Sequence, residues 1–238
     1  MLCAAMATIP QNILQVRERM RAACEAYARS PGGVHLLAVS KTCPASAVRA
    51  AWEGGLADFG ENYVQEALAK MNELADLRPH LRWHLIGPLQ SNKTREVAQA
   101  FDWVHSIDRL KLASRLSEQR PPHLAPLQVC LQVNISGEAS KSGVAPGELP
   151  ALARAVAALP RLALRGLMGV PAPAADFEGQ RAPHRALRLL RDDLVREGLA
   201  LDTLSMGMSA DLEAAIAEGA TWVRVGTALF GERPRNAP

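Results

Sequence analysis

Apolar residues recur along this chain in short runs of strand length, separated by amphipathic stretches of helical period. Residues 9–29 begin with Pro10 near the start and repeat Ile13, Val16, Met20, Cys24 and Tyr27 at helical spacing, which predicts a helix closed by Pro31-Gly32-Gly33. An apolar run from Val34 to Val39 follows, ends in Ser40-Lys41-Thr42, and predicts a first strand. From there the two kinds of segment alternate. Strands are predicted over 56–60, 81–86, 103–107, 127–135, 162–170, 203–206 and 222–225, with helices over 45–53, 64–74, 93–100, 110–118, 148–159, 178–197 and 210–218 between and around them.

Strands that alternate with helices must lie parallel, because each helix carries the chain back across the sheet. Eight such units within 238 residues predict the α/β class and a closed (β/α)8 TIM barrel with an extra N-terminal helix. One domain spanning residues 1–238 accommodates all of it. No Gly-x-Gly-x-x-Gly follows the first strand, which counts against an open dinucleotide-binding sheet.

Composition narrows the function classes. The formal net charge is only +3, and no Lys/Arg-rich run is interleaved with aromatics, so no nucleic-acid partner is expected. Cys3, Cys24, Cys43 and Cys130 form no CxxC pair, which argues against a zinc site or disulfide framework and for a reducing compartment. The N-terminus lacks the basic region of a signal peptide, and no apolar run reaches about 18 residues, so the expectation is a cytoplasmic protein with no membrane partner. Helix 178–197 carries Arg181, Arg185, Arg188, Arg191 and Arg196, interrupted by Asp192, Asp193 and Glu197, and is read as a solvated outer face.

In a barrel of this kind the chemistry sits at the carboxyl ends of the strands. Those ends collect a polar set: Lys41, Asn62, His84, Asn134, Met168, Ser205 to Ser209, Arg224, Gly226 and Thr227. Lys41 is a charge at the end of a buried strand, and either reaches water or does chemistry. Arg224 and Gly226 share a strand face, and a guanidinium turned into the lumen needs an acceptor because it keeps its proton. Ser205-Met-Gly-Met-Ser209 and Gly226-Thr227 offer hydroxyls and bare amides at two adjacent helix starts, the usual phosphate cradle of this fold; Ser209 also suits a helix N-cap. A lysine with a phosphate cradle suits a Schiff-base aldolase or a pyridoxal phosphate protein. An arginine placed against a pyridine nitrogen favours the second.

The motifs themselves are specific. Ala38-Val-Ser-Lys-Thr42, Phe59-Gly-Glu-Asn-Tyr-Val-Gln-Glu66, Trp83-His-Leu-Ile-Gly-Pro-Leu-Gln-Ser-Asn-Lys93, Val133-Asn-Ile-Ser136, Lys141-Ser-Gly143, Gly166-Leu-Met168, Ser205-Met-Gly-Met-Ser209 and Val223-Arg-Val-Gly-Thr227 together resemble the pyridoxal phosphate homeostasis proteins over nearly the whole chain. That resemblance implies a barrel similar to the N-terminal domain of alanine racemase, with pyridoxal 5′-phosphate (PLP) as cofactor. It implies Lys41 as the Schiff-base lysine, Arg224 at the pyridine nitrogen, and Ser209, Gly226 and Thr227 at the phosphate. Asn62, His84, Met168 and Ser205 are further candidates for the cofactor site, while Lys141 and Tyr63 lie in loops that reach the mouth. Family members are regarded as cofactor-holding and cofactor-distributing proteins with no established reaction, so intracellular PLP homeostasis is expected, with apoenzymes as recipients and a monomeric chain. The alternative is a racemase-like PLP enzyme. Racemases of this fold add a second β domain, whereas this chain stops at Pro238, just past its last predicted strand.

Overall fold

In the computed structural model, residues 8–138 and 142–231 are described. Eight parallel strands close into a barrel in chain order: β1 (His35–Val39), β2 (Asp58–Glu61), β3 (Arg82–Leu85), β4 (Trp103–Ile107), β5 (Leu127–Val133), β6 (Leu162–Gly169), β7 (Thr203–Ser205) and β8 (Trp222–Val225). Closure is made by β8 against β1, with Leu37 beside Arg224 and Ala38 beside Val225.

The helices are α1 (Ile9–Ala26), α2 (Ala45–Glu53), α3 (Val64–Glu73), α4 (Thr94–Ala100), α5 (Leu110–Gln119), α6 (Leu149–Ala157), α7 (Phe177–Arg196), α8 (Leu212–Ala217) and α9 (Thr227–Phe230). Ala38, Phe59, Trp83, Leu85, Val104, Leu167, Leu204 and Val223 are buried on the strands and join one core with Val48, Ala67, Val97, Leu116, Leu187 and Ile216 from the helices. A second apolar cluster of Trp103, Cys130 and Met168 is separate from it.

Most predicted elements stand within a few residues of where the periodicity put them, and the differences have local causes. Helix α1 stops at Ala26 rather than 29 because Ala28 adopts a left-handed backbone, φ 52°. Helix α8 begins at Leu212 rather than 210. The Asp211 carboxylate accepts the Met208 N–H at 2.6 Å and holds 208–211 as a turn, so Asp211, not Ser209, stands at the N-cap.

The reading of α7 as a solvated face needs correction. Arg181, Arg185 and Arg188 converge on Glu218, a residue only 2% exposed at the end of α8, with contacts of 2.7, 3.0 and 3.3 Å. Burial would raise the Glu218 carboxyl, yet hydrogen bonds from Arg185 and Arg181 outweigh it and hold it below its ordinary value. Arg191 and Arg196 pair within the helix, with Asp192 and Asp193. The residues that stop the charge run locally are therefore only part of its neutralisation.

Candidate functional site

A pocket of about 430 Å³ opens at the carboxyl ends of the strands, lined by Val39, Lys41, Asn62, Ile86, Met168, Val170, Met208, Ser209, Ala210, Arg224, Gly226 and Thr227. Seven of these are sequence-predicted: Lys41, Asn62, Met168, Ser209, Arg224, Gly226 and Thr227. The volume suits a ligand of cofactor size. A cleft of about 470 Å³ at the other end of the barrel, lined by Arg17, His35, Asp58 and Arg82 among others, is slightly larger. The chemistry of this architecture belongs to the carboxyl end.

Lys41 sits in the turn that ends β1, and helix α3 fixes the backbone on both sides of it. The Ser40 carbonyl accepts Lys70 Nζ at 2.6 Å, and the Thr42 N–H donates to Glu66 Oε1 at 2.5 Å. Thr42 takes a left-handed φ of 62°, which that bond helps to hold. Lys70 is itself buried and reaches Glu61 Oε1 at 2.8 Å and Glu66 Oε1 at 2.6 Å, while Ser40 Oγ donates to Glu61 at 2.6 Å. Burial pushes the Glu61 carboxyl up, against the charge of Lys70, which lowers it. The strand-end lysine thus stands on a buried ionic network.

Arg224 is 4% exposed and reaches the pocket from β8. Its Nη1 donates to Ser205 Oγ at 3.0 Å and its Nη2 to the Gly169 carbonyl at 2.8 Å. Burial lowers its pKa to about 10, so the guanidinium remains charged at neutral pH. Neither partner is an anion, so the positive charge is offered to the pocket rather than neutralised in place.

The loops after β7 and β8 are held from outside by α1. Arg19 donates to the Ser209 carbonyl at 3.0 Å and pairs with Glu213 at 2.9 Å, and Asn12 donates to the Leu229 carbonyl at 2.9 Å. Gly207, at φ 88°, brings this loop onto α8 so closely that an added Cβ would lie 2.4 Å from the Ala215 Cβ. Ser209 and Thr227 line the pocket beside the start of α9, whose first amides have no intrahelical acceptor.

Several of the sequence candidates lie outside this lining. His84 and Ser205 are wholly buried beneath the pocket, with His84 bonded to Asp58 and His105 and Ser205 to His105 and Arg224. Both were singled out as polar residues of strands three and seven near their carboxyl ends, but β3 ends at Leu85 and the next residue, Ile86, is the one that reaches the pocket. Tyr63 is 57% exposed and borders a side groove with Pro88 and Lys93. Asn134 is not in the lining, and Lys141 lies outside the described residues.

Missed residues fall into two groups. Val39, Ile86 and Val170 follow from alternation, each two positions from a residue already singled out. Met208 lies inside the Ser205–Ser209 motif, noticed for its serines, and Ala210 directly follows it. Among the described residues no group of three His, Cys, Asp or Glu side chains is placed to hold a metal. The pocket instead offers one primary amine, one fixed guanidinium, two hydroxyls and helix-start amides. That donor set suits a flat, anionic, carbonyl-bearing ligand with a ring acceptor.

Comparison with known proteins agrees with this chemistry. Residues 9–234 match the family "Alanine racemase, N-terminal domain". The pyridoxal phosphate homeostasis protein of Pseudomonas aeruginosa is 64% identical over 98% of this chain and 99% of its own, and that of Escherichia coli 52% identical over 96% and 98%. The structure of PipY from Synechococcus elongatus with PLP bound superposes with a TM-score of 0.84 at 40% identity, covering 94% of this chain and all of its own. Alanine racemase of Clostridium difficile, at 13% identity and a TM-score of 0.71, shares the fold over 94% of this chain and 58% of its own. The chain therefore belongs to the alanine racemase N-terminal domain family and, within it, to the pyridoxal phosphate homeostasis proteins.

Proposed function

We propose that this protein binds PLP and serves its intracellular homeostasis, holding the cofactor reversibly and releasing it to apoenzymes. The observation that carries the reading is the convergence of Lys41, Arg224, Ser209, Gly226 and Thr227, drawn from β1 and from the ends of β7 and β8, on one pocket. When bound, PLP supplies an aldehyde that condenses reversibly with a lysine amine. Lys41 provides that amine, held at a defined height by the grip of α3 on its neighbours. Ser209, Thr227 and the amides beside Gly226 take the phosphate. Asn62 and Met168, which line the pocket, would contact the bound cofactor, while His84 and Ser205 would act from beneath the site rather than at it.

Arg224 faces the ring nitrogen as a donor. A guanidinium cannot accept a proton from the ring or give one up, so the nitrogen is held as an acceptor. A ring in that state is a weak electron sink, which suits retention of the cofactor better than carbanion chemistry. Among the described lining residues Lys41 and Arg224 are the ionisable ones, and no second acid or base stands opposite the lysine. This supports a binding protein without turnover, with residues 1–238 acting as one unit. The buried thiols Cys24, Cys43 and Cys130, none in a disulfide, suit a reducing cytoplasm.

The test is reconstitution. Purified protein mixed with PLP should gain visible absorbance, and borohydride reduction followed by peptide mass mapping should place the adduct on Lys41. Lys41→Ala should abolish both. Absorbance that survives Lys41→Ala, or solvent deuterium entering the α-carbon of an amino acid with turnover, would refute the reading of a Lys41-anchored, non-catalytic carrier.

A further inference from the structure

Beneath the pocket, five polar side chains from five strands form one continuous line through the barrel. Arg224 Nη1 lies 3.0 Å from Ser205 Oγ, Ser205 Oγ 2.8 Å from His105 Nδ1, His105 Nε2 3.0 Å from His84 Nδ1, and His84 Nε2 3.1 Å from Asp58 Oδ1. Asp58 is closed off by a two-pronged pair with Arg82, both contacts 2.6 Å, at the far cleft. The imidazoles are wholly buried, and His84 lies 5.4 Å from Trp103 in a stacked arrangement and 5.0 Å from Trp222.

With both imidazoles neutral, hydrogen-bond counting gives this line a single direction. Arg224 can only donate and an ionised Asp58 can only accept. His84 must then carry its proton on Nε2, so its Nδ1 accepts from His105 Nε2–H. His105 Nδ1 in turn accepts the Ser205 hydroxyl proton, and the oxygen of Ser205 is left to receive Arg224. This order belongs to the neutral pair, because a doubly protonated His84 would donate from Nδ1 and reverse the links to His105 and Ser205. Burial holds both below their ordinary value, most strongly His105, which also lies near the Arg224 charge. For Asp58 burial acts upward, but the bonds from His84 and Arg82 prevail and keep it at about 2.

We propose that Asp58, at the opposite end of the barrel from the pocket, is a positioning residue that orders the His84, His105 and Ser205 protons so that Ser205 is an acceptor for Arg224 and the guanidinium is fixed toward the cofactor. The inference rests on the reading that Arg224 meets the PLP ring nitrogen. With the opposite His105 tautomer, the Ser205 hydroxyl proton loses its acceptor and competes with the guanidinium for space. Arg224 then shares the Ser205 oxygen with the His105 N–H, and the Gly169 carbonyl is its one undivided partner. A purely structural Asp58 would support barrel stability without this polarity.

The experiment compares wild type, Asp58→Asn, Ser205→Ala and the double variant. In unloaded wild type, imidazole 15N signals should show His84 and His105 neutral and protonated on Nε2 at pH 7, and Asp58→Asn should disturb that assignment. After loading with PLP labelled at the ring nitrogen, Asp58→Asn should release cofactor about tenfold faster, a size expected for a coupled member of one network. Its ring-nitrogen signal should also leave the single hydrogen-bonded position. In the Ser205→Ala background, Asp58→Asn should add nothing to release, whereas its effect on thermal stability should be the same in both backgrounds.

A release rate and ring signal unchanged by Asp58→Asn, or an effect that simply adds to that of Ser205→Ala, overturns the proposal. A Lys41 adduct in wild type, mapped by mass, separates that outcome from failure of the PLP reading. Without such an adduct the cofactor assignment falls, and this role for Asp58 falls with it.

Discussion

Lys70→Met isolates the ionic network under Lys41. The ammonium is buried and serves three acceptors at 2.6, 2.8 and 2.6 Å: the Ser40 carbonyl, Glu61 and Glu66. Glu66 is 29% exposed in its side chain and can hydrate, but Glu61 is fully buried and already has one oxygen, Oε2, without a partner. Removing one member of a buried pair strands the other, at about 3–5 kcal/mol. For a chain of this size that corresponds to a Tm lower by about 6–20 °C. Part of the loss can be escaped by protonating Glu61, whose pKa is already raised by burial. A carboxyl raised in the folded state favours folding below its unfolded value, near 4.5, and loses that contribution as pH rises through the folded value. The Lys70→Met deficit should therefore be larger at pH 8 than at pH 5. Urea denaturation at both pH values measures it, and Lys70→Met with Glu61→Gln should cost less than the sum of the two singles by at least about 1 kcal/mol. A loss below about 1 kcal/mol at pH 8, or strict additivity, would refute the argument that the pair is charged and mutually dependent.

Three further outcomes are expected. Gly87→Ala would bring a Cβ to 2.4 Å from the Asn62 carbonyl oxygen, so the loop must shift at the pocket edge; PLP titration should show weaker uptake with little loss of helical circular dichroism, and normal uptake would count against Asn62 being held in place by this contact. The depressed imidazoles of His84 and His105 favour folding above about pH 6.5 and lose that contribution as pH falls through their folded values, so the urea midpoint should drop between pH 7 and pH 5; a flat profile would argue that they protonate as readily in the folded chain. Leu116→Ala empties a fully buried site under α5 and should cost about 2–5 kcal/mol by denaturation, and a loss under about 1 kcal/mol would mean that the helix collapses onto the space.

Much of this molecule is legible in one dimension because its regularities are local. Strand positions that face the lumen repeat every second residue, so Leu37, Val39 and Lys41 or Arg224 and Gly226 can be assigned to one face without coordinates. Lys41, Ser209 and Thr227 carry polar groups at strand ends where burial would otherwise be wasted, and that anomaly is visible in the sequence. Lys70 is different. A lysine within a helix reads as solvent-exposed, and nothing in its neighbourhood reveals that it turns inward beneath Ser40. Asp58, His84 and His105 stand on three separate strands, and their connection is a property of barrel closure that no sequence window contains. Glu218 and the three arginines of α7 show the same gap: the stripe is periodic, but its partner lies about 30 residues away.

Closure by β8 against β1 brings Arg224, on the last strand, and Lys41, in the turn that follows the first, to one pocket although they are 183 positions apart in sequence. On a ribosome Lys41 emerges early, and nearly the entire chain must be made before Arg224 exists. With the cofactor contacts proposed above, capture would report completed synthesis: a chain truncated before Trp222 carries the amine but neither the guanidinium nor the Gly226-Thr227 amides. A ligand that binds only the closed form also stabilises it by mass action, tightening the seam where the two ends of the sheet meet. Supply of the vitamin-derived ligand would then influence how many nascent barrels survive quality control, tying the abundance of the carrier to that of its cargo.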